Sequence, residues 1–136
     1  MIQKFIKDLL AANFPSLEWT IENYTGSDNT GTVLMTTPSP GNVNDERDFM
    51  FPSYQVYLRS SDFGKVEFIA YQIKELLDKR RNEVAVREFY DNNKVLLGTK
   101  TYNIFFIDCD PPIRVGREGK HMDYSINFKS TIREAK

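Results

Sequence analysis

Histidine and cysteine are almost missing from this chain: His121 and Cys109 are the only ones in 136 residues. That excludes an intrachain disulfide, a cysteine-rich zinc site and any mechanism that needs two histidines. Cys109 stands between Asp108 and Asp110, an acidic setting that raises a thiol's pKa and blunts it as a nucleophile. Its expected role is packing at a strand end, and a lone cysteine suits a reducing cytoplasm. His121, beside a turn in a basic run, reads as a surface residue. Charge of one sign is lacking too. Eighteen Lys and Arg against 19 Asp and Glu leave a net charge of −1, which argues against a general nucleic-acid or membrane-surface binder. No apolar run approaches the roughly 20 residues of a membrane span. No secretory leader is expected either, because Lys4, Lys7 and Asp8 interrupt the first ten residues. Internal repeats and low-complexity tracts are absent.

The residues that could carry chemistry do not assemble. Asp108 and Asp110 offer two carboxylates where a calcium site needs six or more oxygens. Asp45, Glu46 and Asp48 form a charge cluster on a loop, which is ordinarily solvated. Gly116 and Gly119 lack the following helix that a phosphate loop requires. With no nucleophile, base and orienting group in view, the expectation is a protein that is not an enzyme, with no catalytic residue, metal or cofactor.

What is present is ordinary globular material: 40% hydrophobic and 27% charged, enough for one domain over 1–136 with a real core. Phe51 to Arg80 dominates it. Tyr54, Val56 and Leu58 alternate with Gln55, Tyr57 and Arg59, the period of a half-buried strand. The pattern then turns helical, with Phe63, Val66, Ala70, Ile73 and Leu77 at spacings of three and four, widened by Ile69 and Leu76. Ser60, Ser61 and Asp62 supply capping oxygens between the two. Lys79, Arg80 and Arg81 are expected in the last helical turn, where cations suit the dipole. A helix of about 17–19 residues, ~27 Å long, would cover a four-stranded sheet.

Residues 1–12 predict a short helix with Ile2, Phe5, Ile6, Leu9 and Leu10 on one face, stopped by Asn13-Phe14-Pro15. Leu17–Tyr24 and Thr32–Thr37 read as strands joined into a hairpin by the 26–31 turn GSDNTG. Residues 38–48, PSPGNVNDERD, form a long loop that is either a solvated flap or a segment that orders against a partner. Residues 82–98 are ambiguous and read as irregular or a short helix, although VAVREFY is β-rich. Lys100–Cys109 is a strand apolar on both faces around Ile104–Ile107, as in the middle of a sheet. Pro111 and Pro112 end it, and Ile113–Arg117 with His121–Arg133 make a closing hairpin. The fold class is therefore α+β: a mostly antiparallel sheet with one long helix and a short N-terminal helix packed on one face. One alternative function follows from the aromatics Tyr102, Phe105 and Tyr124 near Arg114, Arg117, Lys120, Arg133 and Lys136. It is a small nucleic-acid-binding α+β module that stacks bases on its sheet.

Three pieces in order then carry a resemblance: VYLRSSDFGKVEFIAYQIKELL, PPIRVG and YSINFKSTI. Together they resemble the minor capsid or tail-terminator family of long-tailed bacteriophages. In that family a strand ending in arginine, then a small polar residue, Asp and an aromatic, feeds the principal helix. Arg59, Ser61, Asp62 and Phe63 match those positions, and Pro112, Gly116, Tyr124, Ser125, Asn127 and Phe128 match the later ones. The resemblance covers about 50–133 and implies a structural virion protein, made in the host cytoplasm and placed at the head–tail junction. It implies a homohexameric ring that caps the tail tube protein, stops its polymerisation and docks to the head-completion protein. Within that reading, a strand face with Tyr57 and Arg59 exposed is expected to meet Arg87 to Asp91 of the next subunit. The loop residues Asn42, Asn44, Asp45, Glu46, Arg47 and Asp48 are expected to bind a partner or line the lumen. DNA slides through such a lumen without specific binding, so an acidic wall suits it.

Overall fold

In the computed structural model, which describes residues 1–37 and 49–135, the alternating run before Ser61 is a strand and the stripe after Asp62 is the longest helix. In chain order the elements are α1 (Gln3–Asn13), β1 (Glu18–Ile21), β2 (Thr30–Thr37), β3 (Ser53–Ser60), α2 (Phe63–Leu77), β4 (Arg81–Tyr90), β5 (Leu96–Cys109), β6 (Ile113–Glu118) and β7 (His121–Glu134). The strands form one sheet in the order β1-β2-β3-β7-β5-β4, with β6 also paired to β7. Among the described residues all pairings are antiparallel except that of β1 with β2. The class is α+β, as the alternating and helical periods require.

The inner face of the sheet is built from the period-two residues. Tyr54, Val56 and Leu58 of β3 stand opposite Phe128, Ile126 and Tyr124 of β7, and all six are buried. The Tyr54 and Phe128 rings stack at 5.2 Å. Val66, Ala70, Ile73 and Leu77 of α2 and Ile2, Ile6 and Leu10 of α1 close the same core. Burial of each large aliphatic side chain contributes about 1.5–3 kcal/mol, which outweighs the weak intrinsic stability of helices this short. Helix α1 touches β1 and β2 at one edge of the sheet and β4 at the other. The sheet is therefore curled around its core.

The entry to α2 follows the expected chemistry. The Asp62 carboxylate accepts from the Lys65 amide at 3.1 Å, and Ser60 Oγ accepts from the Asp62 amide at 3.0 Å. Its exit does not. The helix has 15 residues, about 22 Å at 1.5 Å each, and ends before the basic triplet. Asp78 is the C-cap, Lys79 takes a left-handed φ of 61°, and Arg81 already belongs to β4. Only Lys74, paired with Asp78 at 2.8 Å, stands in the last turn.

Two further expectations are corrected. First, β1 and β2 are not a hairpin; they run parallel, with Glu18 beside Thr30 and Ile21 beside Val33. Glu22, at a φ of 57°, turns the chain out of β1, and the 22–29 segment returns it to the start of β2. Contacts distant in sequence hold that return. Arg59 Nη1 donates to the Gly26 carbonyl at 3.2 Å, and Asp28 accepts from the Ser61 amide and hydroxyl, both at 2.7 Å. Second, residues 82–98 are neither irregular nor helical. They form most of a β4–β5 hairpin that pairs from Arg81–Phe106 to Phe89–Gly98 in one register and, after a shift, at Tyr90–Leu96.

Trp19 shows why β2 needs glycine at its second position. Its indole nitrogen donates to the Phe14 carbonyl at 2.9 Å, and its ring lies over Gly31, where a Cβ would stand 2.4 Å from the nearest ring carbon. A pinned indole has little room to give. Gly31→Ala is expected to destabilise by about 1–3 kcal/mol through overpacking. Gly98→Ala, where nothing lies within 4 Å of a new Cβ, is the matched control. Equal denaturant midpoints for the two variants would contradict this reading of the Trp19 contact.

Candidate assembly interface

Most of the residues that carry the resemblance gather where β3 passes into α2. Arg59 is 8% exposed, and its guanidinium is fully engaged there. Nε and Nη2 donate to the two Asp123 oxygens at 2.9 and 2.8 Å, and Nη2 also reaches Glu118 at 2.7 Å. The Tyr57 hydroxyl donates to Asp123 at 2.8 Å, and Tyr24 packs edge-on against the Tyr57 ring at 5.0 Å. Burial pushes the Asp123 carboxyl up, but hydrogen bonds from Arg59 and Tyr57 outweigh it and hold its pKa below the usual value. Ser61 is bonded to Asp28, Asp62 caps α2, and Arg117 lies over the Phe63 ring at 5.4 Å. Gly116, with φ 138°, sits at a bulge opposite Asp123. Tyr124 pairs with Leu58, and Asn127 pairs with Gln55 and accepts the Asp110 amide through its carbonyl at 2.8 Å. Pro112 leads into β6. These residues join a strand end, a helix start and a hairpin; their role is architectural.

That geometry corrects the exposure expected of Tyr57 and Arg59. The two side chains do not form an exposed strand face, because an internal acid–base pair consumes the arginine and Tyr24 covers the tyrosine. Of the aromatics expected on an open sheet face, Tyr102 and Tyr124 are turned into the core at 5% and 7% exposure, while Phe105 is half-buried. His121 is no plain surface residue either. Its side chain is only 19% exposed and lies 3.8 Å from Asp28. Cys109 is buried at the end of β5, as its position suggests. Burial first, then the carboxylate of Asp78, pushes its thiol up to about 12. Among the described residues no cluster of His, Cys, Asp or Glu is placed to hold a metal ion. The expected partner loop, Asn42, Asn44, Asp45, Glu46, Arg47 and Asp48, lies outside the described residues.

Arg87 and Asp91, the other half of the expected contact, stand on the β4–β5 hairpin. Pairing of β5 with β7 ends at Tyr102–Glu134, so residues 96–101 of β5 and their β4 partners extend beyond the rest of the sheet. Six residues at 3.3–3.4 Å make that extension about 20 Å. Asp91 builds its turn: the carboxylate accepts from the amides of Asn93 and Val95 at 2.8 and 3.0 Å, while Lys94 adopts φ 62°. The arm is conspicuously apolar. Val86, Tyr90, Val95, Leu96 and Leu97 are each at least half exposed, as is Val84 at its root. A second apolar area lies on α2, where Phe68 and Tyr71 are 64% and 52% exposed. Neither surface was anticipated. The signal for the arm was the turn sequence DNNK between two β-rich runs. Nothing in the helical stripe marked Phe68, which falls outside it.

No helix among the described residues is long and apolar enough to cross a membrane. No protein-family model matches the chain, and no curated protein matches it either.

Proposed function

We propose that the chain is a structural subunit of a bacteriophage tail, forming a homohexameric ring at the head-proximal end of the tail tube. The ring caps the tube, ends its polymerisation and presents its other side to the head-completion protein, while DNA passes through the lumen. The observation that carries the reading is the β4–β5 arm. It exposes a run of large apolar side chains and, towards its tip, two strand edges that no other described strand pairs. Charge at Arg87, Glu88 and Lys100 blunts those edges only in part, and the large apolar side chains beside it stay exposed. An arm of this kind is a surface for another protein. The resemblance at Arg59, Ser61, Asp62, Phe63, Pro112, Gly116, Tyr124 and Asn127 supplies which assembly. The near-neutral charge of the chain leaves subunit association unopposed at cellular salt.

Electron microscopy of tails assembled with this protein tests the proposal. Six copies in the terminal layer at the head-proximal end are expected. Tails whose terminal layer lacks the protein, or holds another number of copies, would refute it.

A further inference from the structure

His121 opens β7 directly opposite Glu118, across the β6–β7 turn. Its Nε2 is shielded from solvent and makes no hydrogen bond among the described residues. Asp28 Oδ1 stands 3.8 Å away, just beyond hydrogen-bond range. A shielded polar nitrogen left in this way costs stability. Asp28 is held from its other side by neutral donors: the Ser61 amide and hydroxyl, both at 2.7 Å, and the Asn29 amide at 2.9 Å. Hydrogen bonds from Ser61, the hydroxyl first, keep its carboxyl below the usual value, so it is charged at neutral pH. Among the described residues His121 is its one basic neighbour within 4 Å. The other charges near the ring are engaged or solvated. Asp123 of β7 and Glu118 of β6 both bond Arg59 of β3, and the Tyr57 hydroxyl bonds Asp123 as well. Arg117 of β6 lies over the Phe63 ring, Asp62 caps α2, and Lys120 is exposed in the turn.

We propose that His121 and Asp28 form a protonation-sensitive latch on the 22–29 return. A ring protonated on both nitrogens closes the gap and donates from Nε2 to Asp28, as a charge-assisted bond. The return is then tied to the β6–β7 turn as well as to the β3–α2 junction. A neutral ring brings Asp28 no opposite charge, and the return is left to the Ser61 bonds and the Arg59–Gly26 bond. Histidine changes charge between about pH 5 and 8, so the latch is closed at the acid end of that range and open at the other. Folding takes up a proton there, and the stabilisation falls as pH rises. The return also carries Tyr24, which packs on Tyr57 at 5.0 Å and lies 5.4 Å from the Arg59 guanidinium. Each opening therefore uncovers those two side chains. The latch is independent of the ring reading.

Amide hydrogen exchange, followed by NMR on the full chain and converted to protection factors at each pH, reads the latch. Three amides report on it: Ser61 and Asn29, which donate to Asp28, and Glu18, which donates to the Asn29 carbonyl at 2.8 Å. Their protection is expected to fall about threefold as pH rises from about 5.5 to 8, the size of a partly exposed ion pair. His121 is the one histidine of the chain, so its ring signals are unambiguous, and their titration midpoint should coincide with that fall. His121→Gln keeps a polar side chain that takes no proton, and Asp28→Asn keeps an acceptor for Ser61 without the charge. In both variants the protection should stay level with pH, near the value the parent shows at the alkaline end. A level profile in the parent would overturn the proposal, as would a fall that persists in His121→Gln. Midpoints that differ between the ring and the amides would reject it without any substitution. A fall that survives Asp28→Asn would mean that the ring's charge acts on Asp123 instead, and would also reject it.

Discussion

Ile73→Asp is expected to abolish cooperative unfolding at room temperature or to lower stability by about 3–5 kcal/mol. Ile73 is completely buried at the middle of the α2 stripe, among the inner-face residues of the sheet. Aspartate there loses the transfer energy of the aliphatic side chain and leaves a carboxylate with no cation beside it. A buried acid of this kind escapes part of the penalty by taking up a proton, so the loss should ease as pH falls. Tyr71→Asp, on the half-exposed side of the same helix, is expected to stay within about 1 kcal/mol of the parent. Chemical denaturation of the three proteins separates the cases. If Ile73→Asp melted with the parent, α2 could not be packed on the sheet through this stripe.

The second large effect is expected at the buried pair of Arg59 and Asp123. Asp123→Ala strands a guanidinium that is 8% exposed and should cost about 3–5 kcal/mol, because breaking one side of a buried pair leaves an uncompensated charge. Glu118 softens the loss, since it also bonds Arg59 from a solvent-exposed position. Arg59→Met combined with Asp123→Leu should cost less than Asp123→Ala alone, as both charges then leave together. A double-mutant cycle measures the coupling. The same pair sets a pH dependence. The Asp123 pKa is held below its ordinary value in the folded chain, so the unfolded chain binds the proton more tightly. Its stabilisation is complete above the unfolded pKa of about 3.9 and is lost as pH falls through the lower folded value. Acid titration of stability should therefore show a loss below about pH 4 that Arg59→Met/Asp123→Leu reduces. An unchanged acid limb in that double variant would remove the pair from the account.

The junction network fixes β3, the start of α2 and β6 relative to one another, and the same network ties the 22–29 return to the core.

Much of this molecule was legible in its residues. The alternation of Tyr54, Val56 and Leu58, the stripe from Val66 to Leu77, the Asp62 cap and the closing β6–β7 hairpin are all local patterns, and the structure contains each of them. Local periodicity suffices there because one face of each element is buried and the other is not. The failures have a common physical cause. REFY and KVLLG carry no clean alternation, because beyond Ala85 the β4–β5 arm is largely exposed on both faces and no intrachain core disciplines its pattern. The parallel pairing of β1 with β2 depends on Arg59 and Asp28 reaching across about thirty positions of sequence to hold the return, which no window of neighbouring residues reveals. Arg59 itself looked like a surface arginine on the polar side of a strand. Only the arrival of Asp123 from β7 and Glu118 from the β6–β7 hairpin made it an internal one. Outside the β4–β5 arm, the residues by themselves determined where strands and helices form and which faces go inward, since those follow from period and capping. The tertiary structure decided which strands became neighbours, which charges were neutralised inside and which apolar side chains stayed outside, because each of these depends on partners distant in the chain.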